Sequence, residues 1–363
     1  MSTAQDQPPG TPPAPGPLVA ITGAARGVGA VLTAGLAASS RAGRIVAIDE
    51  QRGDTTGVVW RLADARDPAL TGRLAGVDVL VHADLDTSAD SDYRTRRAFN
   101  TRGAQTVLTA AAAARVSRVI LITGAMVYGA RPENPVPLPE DAPLRAEPDA
   151  SIAGDLLEIE RLARRSRRAH PGMDVTVARP AALVGPGVES LVSRHFGSPR
   201  LLTAKGCPAR WQFCHTDDLV TALELAITGE VDREFAVGSD GWLTQEEVEE
   251  ITGLHRIELP AGLTVGTAQR LRRVGVAPGA FNDLAYLVYP WVVDCARLRG
   301  AGWRPARDNE TALRALLEPL ASRERGPRVP RKEAALTAAG ATVAVIGTAA
   351  IVRAARRRRL GSS

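Results

Sequence analysis

The sequence predicts an α/β protein: a doubly wound parallel sheet with a smaller C-terminal lobe. Short apolar runs rich in β-branched residues alternate with helix-like stretches from Leu18 to Pro180. A glycine-rich turn follows the first run, and after Pro180 the spacing changes to loops rich in proline and glycine. Strand–helix units that repeat in this way form a parallel sheet whose faces are covered by helices.

The apolar runs predict five strands in chain order, each of strand length. They read LVAITG, RIVAIDE, VDVLVHAD, RVILITG and MDVTVARP. The stretches 28–38 and 103–115 between them are helix-like. Beyond Pro180, we expect helices at about 216–228 and 244–252.

The composition divides the chain into six segments. They are a disordered proline-rich leader (1–17), the sheet domain (18–180), the smaller lobe (181–321), a charged linker (322–333), a membrane helix (334–352) and a basic tail (353–363). The leader has neither the charged start nor the apolar stretch of a signal peptide. We therefore expect a cytoplasmic body, anchored to the inner face of the cell membrane by residues 334–352.

The net charge of +5 comes from the tail. From Arg323 onward there are ten Lys or Arg and two acids, so the first 322 residues carry a net charge of −3. A body that binds nucleic acid would need a basic face of its own, so this class is excluded. Three cysteines without C-x-x-C spacing and five scattered histidines indicate a reducing compartment and no metal site.

Residues 334–352 form a run of nineteen residues without a charge. As a helix this run would span about 28 Å, close to the hydrocarbon thickness of a bilayer. Basic residues flank both ends, so the positive-inside rule does not fix its orientation. The alternative is a soluble alanine-rich helix that carries a basic tail.

The turn ITGAARGVGA (21–30) follows a strand and opens a helix. Glycine lets the backbone turn tightly and approach a pyrophosphate, and the helix N-terminus offers free N–H groups to the anion. The predicted cofactor residues in this Rossmann-like turn are Thr22, Gly23, Arg26, Gly27, Val28 and Gly29. The alternative is a structural turn without a ligand.

Asp49 ends the next strand, where a carboxylate accepts hydrogen bonds from the adenosine ribose. Glu50 is the second choice for this role. A carboxylate here repels a 2′-phosphate, which favours NAD over NADP, although Arg26 argues weakly for NADP.

After the glycine-rich turn and Asp49, five further motifs follow along the chain in this order: LADARDP, VDVLVHAD, VYG, ARPAALVGPG and FCHTDDLVTALELA. From Leu18 to about Pro305 the chain resembles the extended short-chain dehydrogenase/reductase superfamily, that is, the NAD-dependent epimerases and dehydratases. The resemblance implies that Asp64 contacts the adenine amino group, that Asn100 belongs to the cofactor site, and that Asp84 replaces a usual small residue. It also implies NAD(H) as cofactor, a nucleotide-sugar-like ligand and a homodimer.

The resemblance also implies a catalytic tyrosine and a lysine four residues later, on the helix that SIAGDLLEIERLARR (151–165) resembles. Aligned on the usual glutamate of the family, these positions hold Ile152 and Leu156. No Tyr-x-x-x-Lys occurs anywhere in the chain, and Gly124 stands where the family has a catalytic hydroxyl. Thr123 and Tyr128 are the remaining, weak candidates for catalysis.

Two functions therefore stand ahead of a purely structural role. The first is an NAD-binding protein without the usual proton transfer, a membrane-tethered redox sensor or scaffold. The alternative is an active NAD-dependent epimerase, dehydratase or reductase that acts on a nucleotide sugar or a related hydroxy or keto substrate.

Overall fold

The computed structural model describes residues 16–88, 91–207, 209–259 and 283–325. The strands are β1 (Leu18–Thr22), β2 (Arg44–Asp49), β3 (Val59–Leu62), β4 (Val79–His82), β5 (Arg118–Ile122), β6 (Asp174–Pro180), β7 (Ala182–Val184), β8 (Leu201–Ala204), β9 (Arg210–Trp211), β10 (Phe213–His215), β11 (Glu234–Val237), β12 (Leu243–Thr244) and β13 (Arg256–Leu259). The helices are α1 (Gly27–Ala38), α2 (Leu70–Arg73), α3 (Tyr93–Ala113), α4 (Ile152–Ala169), α5 (Leu191–Phe196), α6 (Thr216–Thr228), α7 (Gln245–Thr252), α8 (Ala285–Val288), α9 (Ala296–Gly300) and α10 (Asn309–Arg325), with a 3-10 turn at Ala125–Tyr128.

Seven strands form one parallel sheet in the order β11-β6-β5-β4-β1-β2-β3. The five predicted strands are β1, β2, β4, β5 and β6, so the predicted fold class is confirmed. The chain runs outward from β1 to β3 and then crosses back to β4, which makes the β1/β4 junction the point where the strand order reverses. In sheets of this kind, ligands bind beyond the carboxyl ends of the strands at this point.

Helices cover the sheet: α1 packs against α6, and α3 packs against α4. The buried runs of β1, β4 and β5 form the centre of the core. After Pro180, two-stranded pairs and a cluster of stacked rings, Trp211 on Phe213 among them, build the smaller lobe. Strand β11 lies beyond Pro180 and still joins the large sheet, while the predicted domain boundary itself stays a prediction.

The chain divides into two compact units, Met1–Leu317 and Glu318–Ser363. The predicted membrane helix and basic tail lie outside the described residues, as do residues 1–15 of the leader and the linker past Arg325. Among the helices that the structure describes, none combines the length and apolarity needed to cross a bilayer.

Gly35 allows α1 and α6 to pack closely, because a Cβ atom at this position would lie 2.7 Å from Cγ2 of Val220. We expect Gly35→Ala to lower the free energy of unfolding by about 1–3 kcal/mol through overpacking. In a Val220→Ala background the same change should be neutral or stabilise by up to about 1 kcal/mol, since alanine favours helix. Urea unfolding of the four proteins measures the coupling, and additive effects would contradict this packing.

Candidate functional site

The carboxyl ends of β1 and β4 are joined by side chains where the strand order reverses. Thr22 Oγ1 lies 2.8 Å from His82 Nδ1, and both side chains are fully buried. Burial, assisted by Arg66, lowers the pKa of His82 to about 4, so this imidazole is neutral at neutral pH. The Thr22 side chain thus faces His82, while its backbone leads into the glycine-rich turn.

The glycine-rich turn requires glycine either for close packing or for a positive φ angle. Gly23 and Gly27 have φ angles of 72° and 55°. A Cβ atom on Gly23 would lie 2.7 Å from Asp84 Cα, and one on Gly29 would lie 2.0 Å from the Gly23 carbonyl oxygen. These are the close approaches for which the sequence predicts glycine.

Helix α1 begins beyond Arg26, whose side chain makes no capping hydrogen bond. The N–H groups of the first turn, which includes Gly27, Val28 and Gly29, donate no hydrogen bond to this side chain, and N–H groups at a helix start suit an anion. Gly187, in the loop after β7, lies close to this turn, because a Cβ atom there would be 2.7 Å from the Gly27 carbonyl oxygen.

Asp49 is buried at the end of β2, and two backbone N–H groups fix its carboxylate. Oδ2 accepts a hydrogen bond from Ala25 N at 3.0 Å, and Oδ1 accepts one from Glu50 N at 2.8 Å. Glu50, the second choice for the ribose contact, is half-exposed and forms an ion pair with Arg66 instead. The structure therefore favours Asp49 as the carboxylate next to the turn.

Arg66 connects three carboxylates that follow β2, β3 and β4 of the large sheet. Its Nη2 atom lies 2.7 Å from Glu50 Oε1 and 2.8 Å from Asp64 Oδ1, and its Nη1 atom lies 3.2 Å from Asp84 Oδ2. We call these four residues the Arg66 cluster. The sequence did not predict it, although Asp64 and Asp84 were each singled out.

Three members of the cluster, Glu50, Arg66 and Asp84, line a recess beside the glycine-rich turn together with Gly23, Arg26 and Asp49. This recess has almost no volume that a water molecule could enter. Burial raises the pKa of Asp84 to about 6, although the nearby Arg66 opposes the shift.

Asn100 is fully buried in α3 and holds the loop after β4. Its amide oxygen accepts from Asp86 N at 2.8 Å, and its amide nitrogen donates to the Asp86 carbonyl at 2.9 Å. A contact between Asn100 and a cofactor stays a prediction, since this side chain bonds to Asp86 and Asp155 within the protein.

The glycine-rich turn, the N-terminus of α1 and Asp49 fit the predicted dinucleotide. They supply a backbone cradle, the N–H groups of a helix N-terminus and a fixed carboxylate. The Arg66 cluster departs from this fit, because an acidic residue, Asp84, lies with its Cα and Cβ atoms directly against Gly23.

The positions that the resemblance assigns to tyrosine and lysine hold buried apolar side chains. Ile152 and Leu156 occupy the first turns of α4 and are 3% and 2% exposed. A Cβ atom on Gly124 would lie 3.3 Å from Leu156 Cδ1, so Leu156 fills the space beside the missing hydroxyl.

The hydroxyls of Thr123 and Tyr128 are both used in a buried network. Thr123 donates to Glu160 Oε1 at 3.2 Å, while Tyr128 donates to the Glu140 carbonyl and accepts from Arg179 Nη1, each at 2.8 Å. Burial raises the pKa of Tyr128, which disfavours the tyrosinate that a general base requires.

Arg179 and Glu160 form a bidentate buried ion pair at the centre of this network. The Nε–Oε1 and Nη2–Oε2 distances are 2.7 and 2.6 Å. Burial alone would lower the pKa of Arg179, but the bonds to Glu160 raise it, so the guanidinium stays charged. Arg179 is 4% exposed, so this guanidinium is a buried group and not a surface charge.

The model of the NAD-dependent epimerase/dehydratase family matches residues 19–238. An uncharacterized protein of Mycobacterium tuberculosis (strain ATCC 25618 / H37Rv) is 31% identical over 307 residues, which cover 79% of this chain and 80% of that protein. A dTDP-glucose 4,6-dehydratase of Streptomyces niveus is 30% identical over 193 residues, or 49% of this chain and 54% of the relative.

Solved structures share the fold at lower identity. MoeE5 in complex with UDP-glucuronic acid and NAD is 21% identical, with a TM-score of 0.63 over 84% of this chain and 99% of that one. UDP-glucose-4-epimerase from Stenotrophomonas maltophila, with bound NAD and formylated UDP-arabinopyranose, is 17% identical, with a TM-score of 0.64 over 86% and 100%.

We expect the Asp84 carboxyl to titrate at about pH 6 rather than at its ordinary 3.8. An acid with a raised pKa binds its proton more tightly when folded, so its ionisation reduces stability as the pH rises through this window. The stability of the wild type relative to Asp84→Asn should therefore fall between pH 4 and 7. Side-chain carboxyl NMR and urea unfolding across this range measure both effects, and a carboxyl that titrates near pH 4 would contradict the expectation.

Proposed function

Because the chain belongs to the NAD-dependent epimerase/dehydratase family, we propose that it binds NAD(H) but lacks the Tyr–Lys proton transfer of that family. NAD is the cofactor of the family. The observation that carries the proposal is that Ile152 and Leu156 are buried and that Leu156 lies beside Gly124, so none of these three positions has a side chain that can hold or move a proton.

The residues of the first βα unit would hold the cofactor. The N–H groups of the first turn of α1 would bind the pyrophosphate, and Asp49 would accept from the ribose hydroxyls. Asp64 would accept from the adenine amino group. A 2′-phosphate would meet the carboxylate of Asp49, which disfavours NADP. Bound NAD supplies hydride chemistry, but α4 itself carries neither a tyrosine nor a lysine to complete it.

The function that follows is that of a redox sensor or scaffold, in which the protein responds to NAD(H) by binding it and not by turning over a substrate. We propose that residues 334–352 tether it to a membrane, that 18–180 bind the cofactor, and that 181–321 form a ligand lobe. A homodimer, expected by analogy, is part of the proposal, and light scattering of the purified chain measures it.

The alternative is an active enzyme that acts on a nucleotide sugar, which the dTDP-glucose 4,6-dehydratase relative favours. It requires another acid or base near α4. Asp283 is the available group: its Oδ1 lies 3.2 Å from Ile152 N, and burial raises its pKa to about 7. The same contacts also cap the helix, which is the simpler role for this carboxylate.

We expect calorimetric titration to show that NAD and NADH bind and that NADP and NADPH bind more weakly. Asp49→Ala should weaken NAD binding about tenfold, because a charge-assisted hydrogen bond is worth about 1.5–3 kcal/mol. Asp54→Ala, which removes an exposed acid from the neighbouring loop, is the matched control and should change nothing. If none of the four nucleotides binds, the cofactor proposal is wrong.

In the same preparation, UDP-glucose or dTDP-glucose should produce no absorbance change at about 340 nm, where reduced nicotinamide absorbs, and no altered sugar. Turnover that is lost in Asp283→Asn, with NAD affinity retained, would establish the alternative instead.

The tether predicts that the full chain binds vesicles containing anionic lipid and that a chain ending at residue 333 does not. An inserted helix should resist high salt, whereas a purely electrostatic contact of the basic tail should be released. Flotation at low and high salt measures this. Equal binding of the truncated and full chains would contradict the tether.

A further inference from the structure

Arg66 lies across the end of the cofactor crevice that would receive adenosine. Its three carboxylate partners come from the ends of β2, β3 and β4, and its guanidinium carbon lies 3.9 Å from the centroid of the Phe99 ring on α3. The Arg66 side chain is only 16% exposed. The cluster therefore fixes three loops around a side chain that fills the space between them.

The space that remains beside the glycine-rich turn is too small for a nucleoside. Small-molecule sites typically occupy at least about 300 Å³, whereas the recess between Gly23, Asp49, Arg66 and Asp84 has almost no volume that a water molecule could enter. On the other side of Arg66 lies an open groove of about 310 Å³, whose lining includes Asp64 and Arg102 but no residue of the turn. Of the three partners, Asp64 is the predicted adenine contact and is itself bound to the guanidinium. An adenine amino group would have to compete with Arg66 for this carboxylate.

Asp84 is the partner that holds Arg66 over the turn. Its Cα atom lies against Gly23, and its side chain is 19% exposed, while the Glu50 side chain is 50% exposed. Exposed ion pairs contribute little because water screens them, so the less exposed Asp84 pair contributes more. An ionised Asp84 also adds negative charge next to the anion site at the start of α1.

We propose that Arg66 and Asp84 close the adenosine end of the crevice, and that NAD binds only when this ion pair opens. The inference rests on the proposed function, because it concerns the affinity of the same cofactor site. If the pair is closed in nine molecules of ten, the apparent affinity is reduced about tenfold. Asp84 then sets the cofactor affinity without being a ligand of the cofactor.

The test compares NAD binding by the full-length wild type, Asp84→Ala and Asp84→Asn in calorimetry, with melting curves to verify folding. Both variants should bind NAD about tenfold more tightly, since each removes the charge that holds Arg66. Asp67→Ala is the matched control: it removes a neighbouring acid that forms no ion pair with Arg66 among the described contacts.

Each of the other possible outcomes contradicts a specific part of the proposal. Unchanged affinity in both Asp84 variants, with NAD bound by the wild type, overturns the closure and leaves the proposed function standing. Tightening by Asp84→Ala alone would mean that side-chain size acts and not the ion pair. Equal tightening by Asp67→Ala would show a general charge effect. No NAD binding by any of the proteins would overturn the proposed function itself.

Discussion

The buried ion pair between Glu160 and Arg179 connects the parts of the structure that surround the crevice. It joins α4 to β6, and through Tyr128 it reaches the segment that holds Glu140. The Glu140 carboxylate accepts from Ala236 N of β11 and Arg297 N of α9, at 2.7 and 2.8 Å. An unpaired charge at this depth would cost several kcal/mol, so each partner fixes the other. The position of α4 therefore depends on this network and not on a catalytic tyrosine and lysine.

Much of the fold was predictable because its determinants are local. Five buried strands were read from apolar runs, and α6 begins and ends where the sequence predicted, at Thr216 and Thr228. Helix α3 instead begins at Tyr93, ten residues before the predicted start. Its first half buries Arg96 and Asn100 against Asp155 of α4, so its inward face is polar and shows no apolar period. Strand β3 was missed because Val59 and Leu62 are both exposed at the edge of the sheet.

The site, too, has a part that the sequence predicts and a part that it does not. The glycine-rich turn and Asp49 were predicted because their chemistry depends on one strand–turn–helix unit. The Arg66 cluster depends on three loops that meet only in the folded sheet, and no spacing in the chain encodes it. For Arg179 a signal was present: a charged residue in the buried run VTVARP requires a partner, and the helix that packs on this strand carries Glu160.

The residues at the three positions that the resemblance assigns to catalysis fit one another and together form an apolar, buried region. Gly124 has no side chain, Leu156 occupies the space beside it, and Ile152 completes the buried start of α4. Burying a leucine or isoleucine side chain stabilises by about 1.5–3 kcal/mol, whereas a lysine in the same place would bring an ammonium group out of water. Restoring one catalytic residue alone would place a polar group against the other two apolar positions. The glycine-rich turn and Asp49 do not depend on these three residues. They are positioned by backbone contacts within the first strand–turn–helix unit and β2. In the proposed function, the two halves therefore differ: the first binds NAD(H), and the second is part of the core.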